Sequence, residues 1–151
     1  MCLTTKYLNP LRIKEDMYVY KRFWVKINKN RRSITIKTPY QLMQIARNKV
    51  QKFNCIDCEY SILEQFGQFN TIQYGYHAYE TEERALFHLC PGEIIVKCKI
   101  PAGSYVWFGL FDEVCSNNIT IDLTHNTKDI TSFRCKTENY EILKKCFKYM
   151  P

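Results

Sequence analysis

The chain has 151 residues, of which 46% are hydrophobic, and this length and composition predict one folded domain over residues 1–151. It carries 22 Lys and Arg against 15 Asp and Glu, so the formal net charge is +7. The longest apolar runs are far shorter than the ~20 residues of a membrane helix, and residues 1–6 lack the apolar core of a secretion signal, so we expect neither a membrane span nor export.

The positive charge lies in the N-terminal part of the chain. Residues 1–60 contain 13 basic and 4 acidic groups, residues 61–110 contain 3 and 5, and residues 111–151 contain 6 of each. Between residues 17 and 38 there are seven basic residues and no acidic one. A field of one sign at this density favours a polyanionic partner, meaning RNA, DNA, a nucleotide or an acidic protein surface. The alternative is a solvated basic face that only confers solubility.

The most basic segment has the pattern of a β-hairpin. Residues 17–27 alternate between apolar residues and a face of aromatic and basic residues, residues 28–32 form a polar loop, and residues 33–37 alternate again with Ile34 and Ile36 turned to the core. Aromatic rings interleaved with cations can stack on bases and neutralise phosphates. The same pattern is also typical of an ordinary exposed strand. The predicted binding residues are Tyr20, Lys21, Arg22, Trp24, Lys26, Arg31, Arg32, Lys37, Tyr40 and Tyr76.

Four segments carry the signals of helices. Thr38 can cap a helix that begins at Pro39 and runs to about Phe53, with apolar residues at helical spacing. Further helices are predicted for residues 59–66, for residues 81–87 with acids in the first turn, and for residues 138–149. Further strands are predicted at residues 71–80, 93–100, 104–109, 118–123 and 130–135. This order predicts an α+β fold: a single domain with a mainly antiparallel sheet, an N-terminal basic hairpin and about three to four helices.

The chain contains eight cysteines. Without a secretion signal we expect a reducing compartment and free, buried thiols in place of disulfides. Cys55 and Cys58 form a single C-x-x-C pair, and a zinc site would need two more ligands, for which His88 and Cys90 are the nearest candidates. A redox role for the pair is another alternative. We predict no cofactor.

His77 and Tyr79 are the candidate catalytic residues. Gly75, His77 and Tyr79 project to one face of a strand that leads into a capped helix. Gly75 leaves space for a ligand or another backbone, His77 can act as an acid or base, and Tyr79 can stack or donate. The structural alternative is a histidine that is hydrogen-bonded within the sheet edge. The signatures of the common NTPases, dinucleotide-binding enzymes, serine hydrolases and zinc proteases do not occur in the sequence.

Within residues 1–121 the chain contains, in order, Tyr18-Val19-Tyr20-Lys21, Thr38-Pro39-Tyr40-Gln41, Gly75-Tyr76-His77-Ala78-Tyr79 and Val96-Lys97-Cys98-Lys99-Ile100-Pro101-Ala102-Gly103-Ser104. This order of segments resembles a family of small uncharacterised proteins of phages and large DNA viruses. The resemblance implies a viral accessory protein of the host cytoplasm or the virion interior.

A more distant likeness is to ADP-ribosyltransferases, in which a first strand supplies a basic or His residue, a second leads into a helix, and a later one carries a glutamate. This likeness implies Lys21 or Arg22, Tyr76 or His77, and Glu113 at the three positions. It would make NAD the cofactor.

The sequence leaves three functions open. The first is a non-enzymatic module that binds a nucleotide or nucleic acid through the basic hairpin. The second is an enzyme centred on His77 and Tyr79, either ADP-ribosyltransferase-like or nucleotide-cleaving. The third is a structural or host-protein-binding viral factor.

Overall fold

The computed structural model describes residues 3–4, 9–29, 34–38, 44–45, 50–54, 62–66, 69–72, 75–122 and 130–134. These residues form fourteen strands and one helix. The elements are β1 (Leu3–Thr4), β2 (Leu11–Arg12), β3 (Met17–Ile27), β4 (Ile34–Lys37), β5 (Gln44–Ile45), β6 (Val50–Asn54), β7 (Ile62–Phe66), β8 (Phe69–Ile72), β9 (Tyr76–Tyr79), α1 (Glu82–Phe87), β10 (Glu93–Ile100), β11 (Tyr105–Phe108), β12 (Glu113–Ser116), β13 (Asn118–Asp122) and β14 (Ile130–Arg134).

Several predicted elements are confirmed by the structure. β3 and β10 have the predicted bounds, β4 is one residue shorter than predicted, and α1 lies within the predicted segment 81–87. Along β3, Val19, Lys21 and Phe23 are buried, whereas Tyr18 and Trp24 are exposed. Because successive side chains of a strand point to opposite sides, the two-residue period of the sequence determined which residues share a face.

β3 and β10 lie at the centre of an eleven-stranded antiparallel sheet. They pair from Met17 opposite Ile100 to Trp24 opposite Glu93. On its other edge, β3 pairs with β9 at Tyr20 and with β4 from Trp24 onwards, so it changes partner within a few residues. The order across the sheet is β2-β11-β12-β9-β3-β10-β13-β6, with β14 also on β10 and with β4 and β5 beside β3. β1, β8 and β7 form a second, three-stranded sheet.

The main core lies on one face of the large sheet. Its buried side chains are Val19, Phe23, Ile36, Ala78, Ile94, Val96, Cys98, Ile100, Val106, Val114, Ile119 and Ile121. They come from β3, β4, β9, β10, β11, β12 and β13, so the core extends across much of the sheet. On the opposite face, Ala85 of α1 and Leu89 pack against Tyr79 and Ile95. This cluster fixes α1 over the centre of the sheet.

The predicted α+β fold with three to four helices is wrong, because the described part of the chain is mainly antiparallel sheet with one short helix. The segment predicted as a helix from Thr38 to Phe53 contains β5 and all of β6 except Asn54, and the segment predicted at residues 59–66 contains β7. β6 pairs with β13, with Phe53 opposite Ile119, and β7 pairs with β8. A short apolar pattern fits the period of a helix as well as that of a strand. Pairing with another strand then outweighs a weak local preference for a helix.

The predicted strand at residues 71–80 is two strands. β8 belongs to the small sheet and β9 to the large one, and between them Gly75 has a φ of 128°, a region that glycine adopts readily. The predicted closing helix at residues 138–149 lies outside the described residues. In the part of the chain that the structure describes, no helix has the length and apolar character needed to cross a membrane.

Thr81 caps the N-terminus of α1, where its hydroxyl oxygen accepts a hydrogen bond from the Arg84 backbone N at 3.2 Å. We expect Thr81→Ala to lower the free energy of unfolding by about 1 kcal/mol, because this amide loses its partner. Thr81→Ser keeps the hydroxyl and is the matched control. Urea denaturation followed by circular dichroism measures both variants, and equal losses for Ala and Ser would contradict the capping role.

Candidate nucleic-acid interface

Four of the predicted binding residues, Tyr20, Arg22, Trp24 and Lys26, lie on the face of β3 and β10 that points away from the main core, which we call the outer face. Tyr76 instead packs against the main core. The outer face consists of the even-numbered residues of β3 and the odd-numbered residues of β10, because the register places these sets opposite one another. Its members are Tyr18, Tyr20, Arg22, Trp24, Lys26, Glu93, Ile95, Lys97 and Lys99. α1 covers the middle of the outer face, since Tyr20 and Ile95 pack against Ala85 and Leu89.

Glu93 is a buried carboxylate with three partners. Its Oε2 is 3.1 Å from Arg22 Nη1 and accepts a hydrogen bond from Cys90 N at 2.9 Å, while its Oε1 accepts one from Trp24 Nε1 at 3.1 Å. The side chains of Arg22 and Glu93 are only 11% and 3% exposed. Arg22 also donates to the His88 carbonyl oxygen. A buried charge needs such partners, so the role of Arg22 is structural: it neutralises the carboxylate of Glu93.

Trp24 is 49% exposed, although the bond from its Nε1 to Glu93 holds the ring in place. Lys37 lies directly opposite Trp24 on β4, and Lys26 is the next residue along β3 on the same face. An aromatic ring that is already fixed loses little rotamer freedom when a base stacks on it. Trp24, Lys26 and Lys37 are called the Trp24 patch below.

Lys21 does not lie on the outer face. Its side chain is buried beside the main core, and Nζ donates to the His77 carbonyl oxygen at 2.6 Å. Burial lowers the pKa of Lys21 to about 8. Lys21 therefore offers no direct contact to a partner, in contrast to the binding role predicted for it.

His77 and Tyr79 are 6% and 2% exposed. His77 Nδ1 is 3.2 Å from the Gly75 carbonyl oxygen, and β9, which carries His77, lies between β12 and β3 and not at the edge of the sheet. The Tyr79 ring stacks on His88 with centroids 5.3 Å apart and planes 10° apart, and burial raises the pKa of Tyr79. The pKa of His88 is lowered, mainly by burial and further by Arg84 and Arg22. Ala85, Leu89 and His88 all contact Tyr79, so its ring is enclosed by the protein.

The positions implied by the ADP-ribosyltransferase likeness lie on three neighbouring strands, β3, β9 and β12. Glu113 is directly opposite Tyr79, and the Arg22 guanidinium carbon is 5.9 Å from the centre of the Tyr79 ring. Tyr76 is half-buried, and its ring centroid is 6.1 Å from that of Phe53. Of the residues at these positions, Lys21 and His77 are buried, and Arg22, Tyr76 and Glu113 are half-buried.

The remaining predicted ligands are only partly described. Arg31, Arg32, Tyr40, Cys55 and Cys58 lie outside the described residues. Cys90 is exposed with its Sγ 3.9 Å from Arg22 Nη1, and Cys98 and Cys115 are buried, each as a thiol. No group of three or more His, Cys, Asp or Glu side chains suited to a metal ion occurs among the residues that the structure describes.

A different exposed surface surrounds Arg84. Leu86 and Phe87 of α1 and Leu110 and Phe111 of the β11–β12 turn are exposed, with Phe111 at 62%. The guanidinium carbon of Arg84 lies 5.3 Å and 5.8 Å from the centres of the two phenylalanine rings, and Nε donates to the Phe111 carbonyl oxygen at 3.1 Å. This surface supplies an exposed aromatic residue, Phe111, that belongs to neither β3 nor β10 and serves as a control below.

The sequence did not predict that Glu93 pairs with Arg22 and accepts from Trp24, or that Lys97 and Lys99 lie on the outer face. The signal for the lysines was present, because they alternate with the buried Val96, Cys98 and Ile100. Residues 61–110 have a net negative charge, although two of their three basic residues lie on the outer face. The net charge of that block therefore does not indicate the two lysines.

Among the predicted binding residues that the structure describes, those of the Trp24 patch are thus the ones that lie exposed or half-exposed together on one face. A scan against protein-family models finds no match, and searches of curated proteins and of solved structures find no similar protein.

Proposed function

We propose that this protein binds single-stranded nucleic acid through the Trp24 patch. The observation that carries the proposal is the half-exposed ring of Trp24, which Glu93 holds at Nε1 and which Lys26 and Lys37 accompany on the same face. An immobilised ring between lysines matches what a single strand offers, namely a base with a free face joined to phosphates on both sides. A duplex has its bases stacked and offers Trp24 no free base face.

The charge balance of the hairpin supports a polyanion. Glu93 neutralises Arg22 within the protein, so the positive charge of Arg22 is not available to a ligand. Lys26 is exposed and Lys37 half-exposed, and residues 17–38 contain no acidic side chain that would repel a phosphate.

The enzymatic alternatives centred on His77 and Tyr79 receive less support, because both side chains are buried. A host-protein-binding role stays a prediction. Neither alternative requires Trp24.

The proposal is tested by fluorescence anisotropy with a labelled single-stranded dodecanucleotide, as RNA and as DNA, and with the corresponding duplex. We expect Trp24→Ala to weaken single-strand binding roughly 5- to 150-fold, since stacking on one base contributes about 1–3 kcal/mol. Phe111→Ala removes a similarly exposed aromatic ring from another surface and should leave the affinity unchanged. Equal affinities of wild type and Trp24→Ala would refute the proposal.

Salt dependence provides a second measurement on the same complex. The affinity should fall linearly with salt on logarithmic axes, and each of Lys26→Gln and Lys37→Gln should make the slope shallower by about 0.7, the contribution of one phosphate contact in a single strand. Acrylamide quenching adds a direct readout, because Trp24 is exposed and Trp107 is buried. Bound strand should protect the fluorescence from acrylamide, and unchanged quenching in the complex would place the ligand elsewhere.

A further inference from the structure

A second exposed aromatic residue lies on the outer face at the far end of β3. Tyr18 is 56% exposed, and the Lys97 ammonium nitrogen is 4.9 Å from the centre of its ring. Lys99 lies directly opposite Tyr18 in the register, and its Nζ is 3.6 Å from Asp16 Oδ2. Both members of that ion pair are about 40% exposed, so a phosphate can compete with Asp16 for Lys99.

The register adds a third lysine to this end of the face. Lys99 pairs with Thr120 of β13, and Thr120 pairs with Lys52 of β6. Directly opposite residues of antiparallel strands point to the same side, so Lys52 points to the same side of the sheet as Lys99 and is itself exposed. Tyr18, Lys52, Lys97 and Lys99 are called the Tyr18 patch, and it repeats the chemistry of the Trp24 patch.

The two patches are separate on the surface. Tyr18 and Trp24 are six residues apart on one extended strand, which corresponds to about 20 Å. Between them α1 and Leu89 cover Tyr20 and Ile95. One nucleotide is too small to contact both rings, whereas a strand of several nucleotides can pass from one patch to the other.

We infer that the ligand is an oligonucleotide strand that contacts the Trp24 patch and the Tyr18 patch at the same time. The inference rests on the proposed function and adds a second contact and a minimum length to it. Once one patch holds the strand, the second contact is intramolecular, so it strengthens binding through a high effective concentration.

The test is an affinity series with a dinucleotide, a tetranucleotide, an octanucleotide and a dodecanucleotide, each measured with wild type, Tyr18→Ala, Trp24→Ala and the control Phe111→Ala. For wild type we expect the affinity to rise steeply once the strand spans both patches. Tyr18→Ala should weaken binding of the dodecanucleotide roughly tenfold and leave binding of the dinucleotide at the Trp24 patch unchanged, as measured by acrylamide quenching of Trp24. Lys97→Gln and Lys99→Gln should reduce the salt dependence only for the longer strands.

The possible outcomes separate the inference from the proposed function. If Trp24→Ala weakens binding but Tyr18→Ala has no effect at any length, the second contact is refuted and the proposed function stands. If wild type binds no strand of the series, both are refuted. A Tyr18→Ala variant in which the dinucleotide no longer protects Trp24 from acrylamide would also overturn the inference, because Tyr18 would then not act as a contact separate from the Trp24 patch.

Discussion

Replacing Glu93 with alanine should destabilise the protein by about 3 kcal/mol or more, the cost of breaking a buried ion pair from one side. The substitution leaves the Arg22 guanidinium without its carboxylate, and it removes the acceptor of both Trp24 Nε1 and Cys90 N. Chemical denaturation of Glu93→Ala measures the loss. The fluorescence of native Trp24 should also change, because its indole N–H loses its acceptor.

A double-mutant cycle with Arg22 separates the ion pair from the other contacts of Glu93. Arg22→Met combined with Glu93→Leu removes both charges and should cost less than the sum of the two single substitutions. Glu93→Gln keeps the size of the side chain but lacks the charge, and its amide group cannot accept from all three donors. Strict additivity in the cycle would show that Arg22 and Glu93 do not depend on each other for stability.

The stability of the protein should rise between pH 8 and pH 10, and the rise should depend on Lys21. Burial lowers the pKa of Lys21 from 10.5 in the unfolded chain to about 8 in the folded protein. In this window the unfolded chain binds a proton that the folded protein has released, so the free energy of unfolding increases with pH. The slope is at most about 1.4 kcal/mol per pH unit, and the full effect approaches about 3 kcal/mol.

Lys21→Met is the matched variant, because it keeps a long buried side chain without a titrating group. Urea denaturation at several pH values should give a shallower increase for Lys21→Met than for wild type. The hydrogen bond to the His77 carbonyl oxygen does not require the charge, since a neutral amine still donates, so it is retained as wild-type Lys21 deprotonates. Parallel pH profiles for the two proteins would contradict a lowered pKa of Lys21.

Local patterns predicted the parts of the fold whose residues carry a strong signal of their own. β3 alternates over eleven residues and α1 has a threonine cap and acids in its first turn, so both appear as predicted. The segments of β6 and β7 were predicted as helices, because an apolar pattern over only five residues fits the period of a helix as well as that of a strand. Their strand form depends on pairing with β13 and β8, which no local window contains.

For the candidate site, the sequence by itself determined that Tyr18, Trp24 and Lys26 share one face of a strand, because side chains alternate in any extended segment. The tertiary structure decided which cations remain for a ligand. Arg22 pairs with Glu93, which lies 71 positions away along the chain, and Lys21 is buried against β9, so neither charge is exposed. Lys97 and Lys99 join the outer face instead, because β10 pairs beside β3 along its length. The physical reason is that alternation is a property of each strand, whereas burial and ion pairing depend on which distant strand lies next to it.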